Sequence, residues 1–195
     1  IEELGFEQPM PVQEEVIPYL LGNRNDVIAL AQTGTGKTAA FGIPLLQRID
    51  TTSHETQAIV LSPTRELCLQ ICDDLKEFSK YIPHMHIAAV YGGASIEEQI
   101  RSLRHGAQII AATPGRLIDL MKRGKAKLEN VHNVVLDEAD EMLNMGFQDS
   151  ITEILSGVPD DHNTLLFSAT MSKQIETVAK GYLHDYKEIV VGSRN

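Results

Sequence analysis

The apolar run Val27-Ile28-Ala29-Leu30 passes directly into Ala31-Gln32-Thr33-Gly34-Thr35-Gly36-Lys37-Thr38, and a stretch that reads as helix, Ala39 to Ile49, follows. A strand, a loop of small residues and a helix N-terminus in that order form the context of a phosphate-binding loop. Gly34 and Gly36 let the backbone curl so that successive N–H groups face one anion. Lys37 adds a point charge for the outer phosphates, and Thr38 offers a hydroxyl to a magnesium ion. In the strict spelling of such a loop the first position is Gly; here it is Ala31. The plainer reading is a Gly-rich strand-to-helix turn. What separates the two is whether the chain supplies partners for this loop.

One partner stands near the other end of the sequence. The apolar segment Asn133-Val134-Val135-Leu136 ends in Asp137-Glu138-Ala139-Asp140. A strand that ends in adjacent carboxylates is the second half of a phosphate-loop ATPase. Asp137 would hold magnesium directly or through water, since a hard cation takes carboxylate oxygen. Glu138 would orient and deprotonate an attacking water. Taken alone, the same residues would be an acidic helix start that complements the dipole.

Further short apolar segments alternate with helical ones: Ala58–Leu61, His86–Val90, Ile109–Ala112, Thr164–Phe167 and Glu188–Val191. Six or seven such strands predict an α/β domain with a mostly parallel central sheet covered by helices on both faces. The 195 residues suit one domain, with no internal repeat or linker. No apolar run approaches a membrane span, and no leader for export is read at the start. Cys68 and Cys72, four apart in a helical stretch, read as reduced helix residues of a cytoplasmic protein rather than as a zinc site.

The net charge of −10 argues against a simple nucleic-acid-coating protein. Only residues 92–130 are basic, with seven Lys/Arg against four Asp/Glu. An anionic polymer would touch there, unless the charges form a solvated helix face. The strand tips point the same way. Thr64 and Arg65 open the helix after the second strand. Gly92-Gly93 follows the third. Thr113-Pro114-Gly115-Arg116 follows the fourth. Hydroxyl, cation and helix N-terminus together suit a phosphate, although Thr64 is equally a cap and the Gly pair equally a turn. Three such tips on one sheet edge suggest a track for a nucleic-acid backbone. With no Trp and few aromatics, base stacking is not the main grip, so the track would be indifferent to base sequence.

Two further features remain. Gln13 follows the Pro-punctuated opening Gly5 to Val12, and its amide both donates and accepts, as the Hoogsteen edge of adenine requires; a solvated side chain is the alternative. Ser168-Ala169-Thr170 ends the sixth strand. Its hydroxyls would bond Asp137 or Asp140, or simply make a turn and cap.

Together these residues resemble the N-terminal RecA-like domain of DEAD-box RNA helicases. Gly5-Phe6 through Gln13 is similar to the family's Q motif, Ala31 to Thr38 to motif I, and Pro63-Thr64-Arg65-Glu66-Leu67 to motif Ia. Gly92-Gly93 is similar to the short glycine motif and Thr113-Pro114-Gly115-Arg116 to motif Ib. Asp137-Glu138-Ala139-Asp140 spells the motif that names the family, and Ser168-Ala169-Thr170 is motif III. The wording is closest to the bacterial cold-shock members. Met10 stands where the family often has Thr, and the aromatic upstream of the Q motif is missing from a chain that starts at Ile1.

The resemblance implies a RecA-like P-loop NTPase domain over residues 1–195, with ATP and Mg2+ as cofactors and RNA as partner. Phe6 and Gln13 would hold adenine, with Ala31, Gln32, Thr33, Gly34, Thr35, Gly36, Lys37 and Thr38 around the phosphates. Thr38 and Asp137 would serve the metal, and Glu138, Lys37 and Asp137 the chemistry. Thr64, Arg65, Gly93, Thr113 and Arg116 would hold RNA backbone. Asp140, Ser168 and Thr170 would couple hydrolysis to strand separation. A second RecA-like domain is the remaining implied partner, since none of its motifs follows Thr170; the chain alone is then expected to turn over ATP very slowly. Two other functions stand beside it: a nucleotide-gated RNA clamp that shares every motif but does not unwind, and a DNA helicase or translocase of the same superfamily, against which the Q-motif-like opening argues.

Overall fold

The computed structural model describes residues 10–22, 25–32 and 36–191. Phe6, Thr33, Gly34 and Thr35 lie outside the described residues. Seven strands, β1 (Val27–Leu30), β2 (Ala58–Leu61), β3 (Ile87–Val90), β4 (Ile109–Ala112), β5 (Asn133–Leu136), β6 (Asn163–Ser168) and β7 (Lys187–Val190), form one sheet. Its order is β3-β4-β2-β5-β6-β1-β7, and every pairing is parallel. Because all strands run the same way, the segments that leave their C-terminal ends share one edge, where open α/β sheets bind ligands.

The helices are α1 (Pro11–Gly22), α2 (Lys37–Gln47), α3 (Arg65–Phe78), α4 (Ile96–Arg104), α5 (Pro114–Lys122), α6 (Ala139–Asn144), α7 (Gln148–Ser156) and α8 (Lys173–Tyr182). Alternate strand residues feed two cores. Val27, Ala29, Val60 and Phe167 pack with Val16 of α1, Phe41 and Leu45 of α2, and Ile71 and Leu75 of α3. Ile28, Ile59, Leu61 and Leu166 face the other way, onto Leu117, Met142, Ile154 and Ile175 of α5 to α8. Cys68 and Cys72 are buried on the inner side of α3.

Pro18 lies inside α1, yet the helix runs on to Gly22. The exposed proline removes one helical N–H, while Val12, Val16 and Leu20 are buried on either side of it and hold the helix against the sheet. Between β5 and β6 the chain forms two helices, because Gly146 takes a left-handed turn at φ 85° and Phe147 caps a new helix.

Buried polar side chains pin the sheet at the edge away from the site. The Gln108 amide donates to the carbonyls of Ser53 and His84 and accepts from the His86 N–H. Asp26 accepts from the backbone N–H groups of Thr164 and His184, joining β1 to β6 and to the approach of β7.

Candidate nucleotide and nucleic-acid site

The loop that follows β1 returns to the described chain at Gly36, which caps α2 with φ 96°. That left-handed conformation needs glycine. A Cβ there would lie 2.9 Å from Gln13 Nε2 and 3.0 Å from Met10 Cγ. Gln13, only 5% exposed, donates from Nε2 to the Gly36 carbonyl at 3.2 Å and accepts at Oε1 from the Met10 N–H at 3.0 Å. The amide therefore ties α1 to the start of α2 and keeps one N–H and one lone pair for another partner. Ala31 is buried, with its N–H on the Ser168 carbonyl, and Gln32 is exposed.

Lys37 is buried. Its Nζ donates to Asp137 Oδ1 at 3.1 Å and stands 3.9 Å from Glu138 Oε1. Asp137 is 1% exposed, and its Oδ1 also accepts from the Glu138 N–H. Burial pushes the Asp137 carboxyl above the ordinary carboxylate range, an effect that the Lys37 ammonium only partly offsets. Glu138 is raised as well, first by burial and then by Asp137, Asp140 and Glu141, with Lys37 opposing. Its backbone sits at φ 49°, ψ 52° as the cap of α6, a strained conformation for a side chain of this kind.

Asp140 faces the tip of β6. Its Oδ2 accepts from the Ala169 N–H at 3.2 Å and from the Thr170 hydroxyl at 3.5 Å. Ser168 makes no such bond: its hydroxyl donates to the Thr170 carbonyl at 2.6 Å and accepts from the Thr170 N–H. Of the two readings of this tip, Thr170 follows the bond to Asp140, while Ser168 follows the other and closes its own turn.

The tips of β2, β3 and β4 converge beside this site. The Thr64 hydroxyl caps α3 by accepting from the Leu67 N–H, which leaves its hydrogen to donate. The Arg65 guanidinium lies 5.1 Å from the centre of the Tyr91 ring. Gly93 holds φ 83°. Thr113 caps α5 without a side-chain bond, with Pro114 in the first turn. Arg116 Nη1 donates to the Ala94 carbonyl at 3.1 Å and to Gln99 Oε1 at 2.9 Å. Sequence reasoning missed Gln99. Its signal is a lone amide at an inward position of α4, on the stripe that carries Ile96, Ile100 and Leu103.

A sequence profile of the DEAD/DEAH box helicases matches residues 10–178. The chain belongs to this family. Among curated DEAD-box relatives, it is 47% identical over 193 residues to the ATP-dependent RNA helicase DeaD of Buchnera aphidicola, covering 99% of this chain and 32% of that protein. It is 49% identical over 184 residues to the ATP-dependent RNA helicase CshA of Listeria monocytogenes, covering 94% of this chain and 35% of that one. The chain thus spans about a third of the length of these relatives. A crystal structure of a DEAD box protein from Methanococcus jannaschii superposes with a TM-score of 0.93 at 44% identity, covering 98% of this chain and 52% of the other.

Proposed function

We propose that the chain, residues 1–195, is the N-terminal RecA-like domain of a cytoplasmic ATP-dependent RNA helicase. With a second RecA-like domain of the same protein, it hydrolyses ATP and separates short RNA duplexes. The observation that carries the reading is the Lys37–Asp137 pair. A buried ammonium at the start of α2 and a buried carboxylate at the tip of β5 meet at 3.1 Å, with Glu138 beside them.

In this reading the Lys37 ammonium turns from Asp137 to the outer phosphates of ATP. The amides at the start of α2 bind phosphate oxygens, and Gln13 offers its remaining N–H and lone pair to adenine, beside Phe6. Asp137 and the Thr38 hydroxyl fit a hard cation, because both bonds to the carboxylate end on Oδ1. Bound Mg2+ would neutralise charge on the phosphates, taking its other ligands from them and from water. Glu138, raised by burial and by its acidic neighbours, takes the proton of the attacking water more effectively than an ordinary glutamate. Asp140 holds Ala169 and Thr170, so a shift of the β5 tip is passed to the β6 tip. Thr64, Arg65, Gly93, Thr113 and Arg116 grip the RNA backbone. Two buried free thiols suit a reducing compartment, and among the described residues no helix is long and apolar enough to cross a membrane.

The test is Glu138→Gln in a protein that carries both domains. RNA-stimulated hydrolysis should fall by roughly 10²–10⁴ with ATP binding retained. Displacement of a short RNA duplex should require ATP and fail in the variant. Equal displacement with a non-hydrolysable analogue would instead favour the clamp, and stimulation by DNA alone would favour the translocase.

A further inference from the structure

Gln99 is an amide in the first turns of α4, 6% exposed, and the proposed chemistry gives it no task. Its side-chain bonds run to the proposed RNA edge. Its Oε1 accepts from the Tyr91 N–H at 3.3 Å and from Arg116 Nη1 at 2.9 Å, and its Nε2 donates to the Tyr91 carbonyl at 3.0 Å. Tyr91 is the residue before Gly92-Gly93, and Ala94, the residue after, accepts the other bond from Arg116 Nη1. The glycine loop is thus held at both ends, by Gln99 on one side and by Arg116 on the other. The Tyr91 ring lies under Arg65. Tyr91 therefore joins the tips of β2 and β3, and Gln99 joins Tyr91 to Arg116 at the tip of β4.

We infer that Gln99 is a positioning residue for RNA, which sets the glycine loop and aims Arg116 so that the three tips act as one platform. The inference rests on the RNA-site reading above. Both hydrogens of Arg116 Nη1 are committed inside the protein. Nε and Nη2, the two donors along one edge of the guanidinium, take no partner among the described residues and match the paired oxygens of a phosphodiester. A grip of this kind depends on holding the fork to a fraction of an ångström. An arginine with free torsions would lose that fit, and the glycine loop would lose its upstream anchor.

The experiment measures affinity for a short fluorescein-labelled oligouridylate by anisotropy, with ADP affinity and the thermal midpoint recorded alongside. Arg116→Ala should weaken RNA binding about tenfold, as loss of a charged hydrogen bond does. Gln99→Ala should weaken it by a similar factor with ADP affinity unchanged. The double variant should be no weaker than the single ones, because Gln99 acts through Arg116. Gln99→Glu keeps the acceptor for Arg116 and for the Tyr91 N–H but loses the donor to the Tyr91 carbonyl, and should restore part of the loss. If Gln99→Ala does not fold, Gln99→Leu, which fills the same space without the hydrogen bonds, carries the double-variant comparison. The inference is overturned if Gln99→Ala lowers only the thermal midpoint, if the two losses multiply, or if Gln99→Glu loses as much as Gln99→Ala. If Arg116→Ala binds RNA as the unaltered protein does, the RNA-site reading itself falls and takes this inference with it.

Discussion

At the scale of single residues, Lys37 and Asp137 are each other's answer to burial. Lys37→Ala removes the cation and leaves the carboxylate in place, which should cost about 3–5 kcal/mol near neutral pH. The loss has a predictable pH dependence. Burial already raises Asp137 above its ordinary value of 3.8, and without the ammonium the folded-state pKa rises further. A carboxyl raised on folding contributes stability when protonated and loses it as pH rises through the folded value. The deficit of Lys37→Ala should therefore be small below about pH 4 and grow toward neutrality, which denaturant unfolding at several pH values would check. A constant deficit would mean that packing, not charge, is what the lysine supplies. That Lys37 and the two carboxylates belong together was legible in the sequence, because a lysine opening a helix after a Gly-rich loop and carboxylates at a strand end are distinctive. Gln99 was not legible. Nothing about an isolated amide says that three backbone and side-chain groups will turn toward it.

At the scale of elements, α1 and α3 offer two checks. Pro18 is exposed within α1 and withholds an N–H from the helix. Pro18→Ala restores that bond without leaving a cavity and should raise stability by about 1–3 kcal/mol, less the smaller entropy that proline removes from the unfolded chain. A rise in the thermal midpoint is the readout, and an unchanged one would show that the end of α1 is not rigidly docked. In α3, burial pushes the Cys68 thiol up to about 12 and raises Cys72 as well. At about pH 8 only one Cys68 in roughly ten thousand is thiolate. Labelling by a thiol reagent should therefore be slow in the native protein and should quicken in step with unfolding. Strands were readable almost to the residue, because strands buried on both faces are continuous apolar runs. Gly146 was present in the sequence as a stop, but a helix as short as α6 leaves too few residues to show a period. The proline in α1 does not stop that helix, because tertiary burial outweighs local propensity.

At the scale of the whole molecule, the acidic chain should hold an anionic polymer with few cations. Two phosphate contacts, from Arg65 and Arg116, predict a slope of about −1.4 for the logarithm of the single-stranded RNA association constant against that of salt. A much steeper slope would show that other basic residues of the middle third take part. Strand order was not legible, because a parallel sheet is assembled by crossovers whose destinations no local pattern records. That order has one more consequence. β6 lies between β1 and β5, so the backbones that carry the phosphate loop and Asp137 stand two strand spacings apart, about 10 Å, at a separation set by the peptide ladder. The 3.1 Å contact across that gap runs from Lys37, at the start of α2, to Asp137, just past the end of β5. A guest that enters has no need to spread the sheet; it has only to win the lysine, which swings like a latch across a doorway of fixed width.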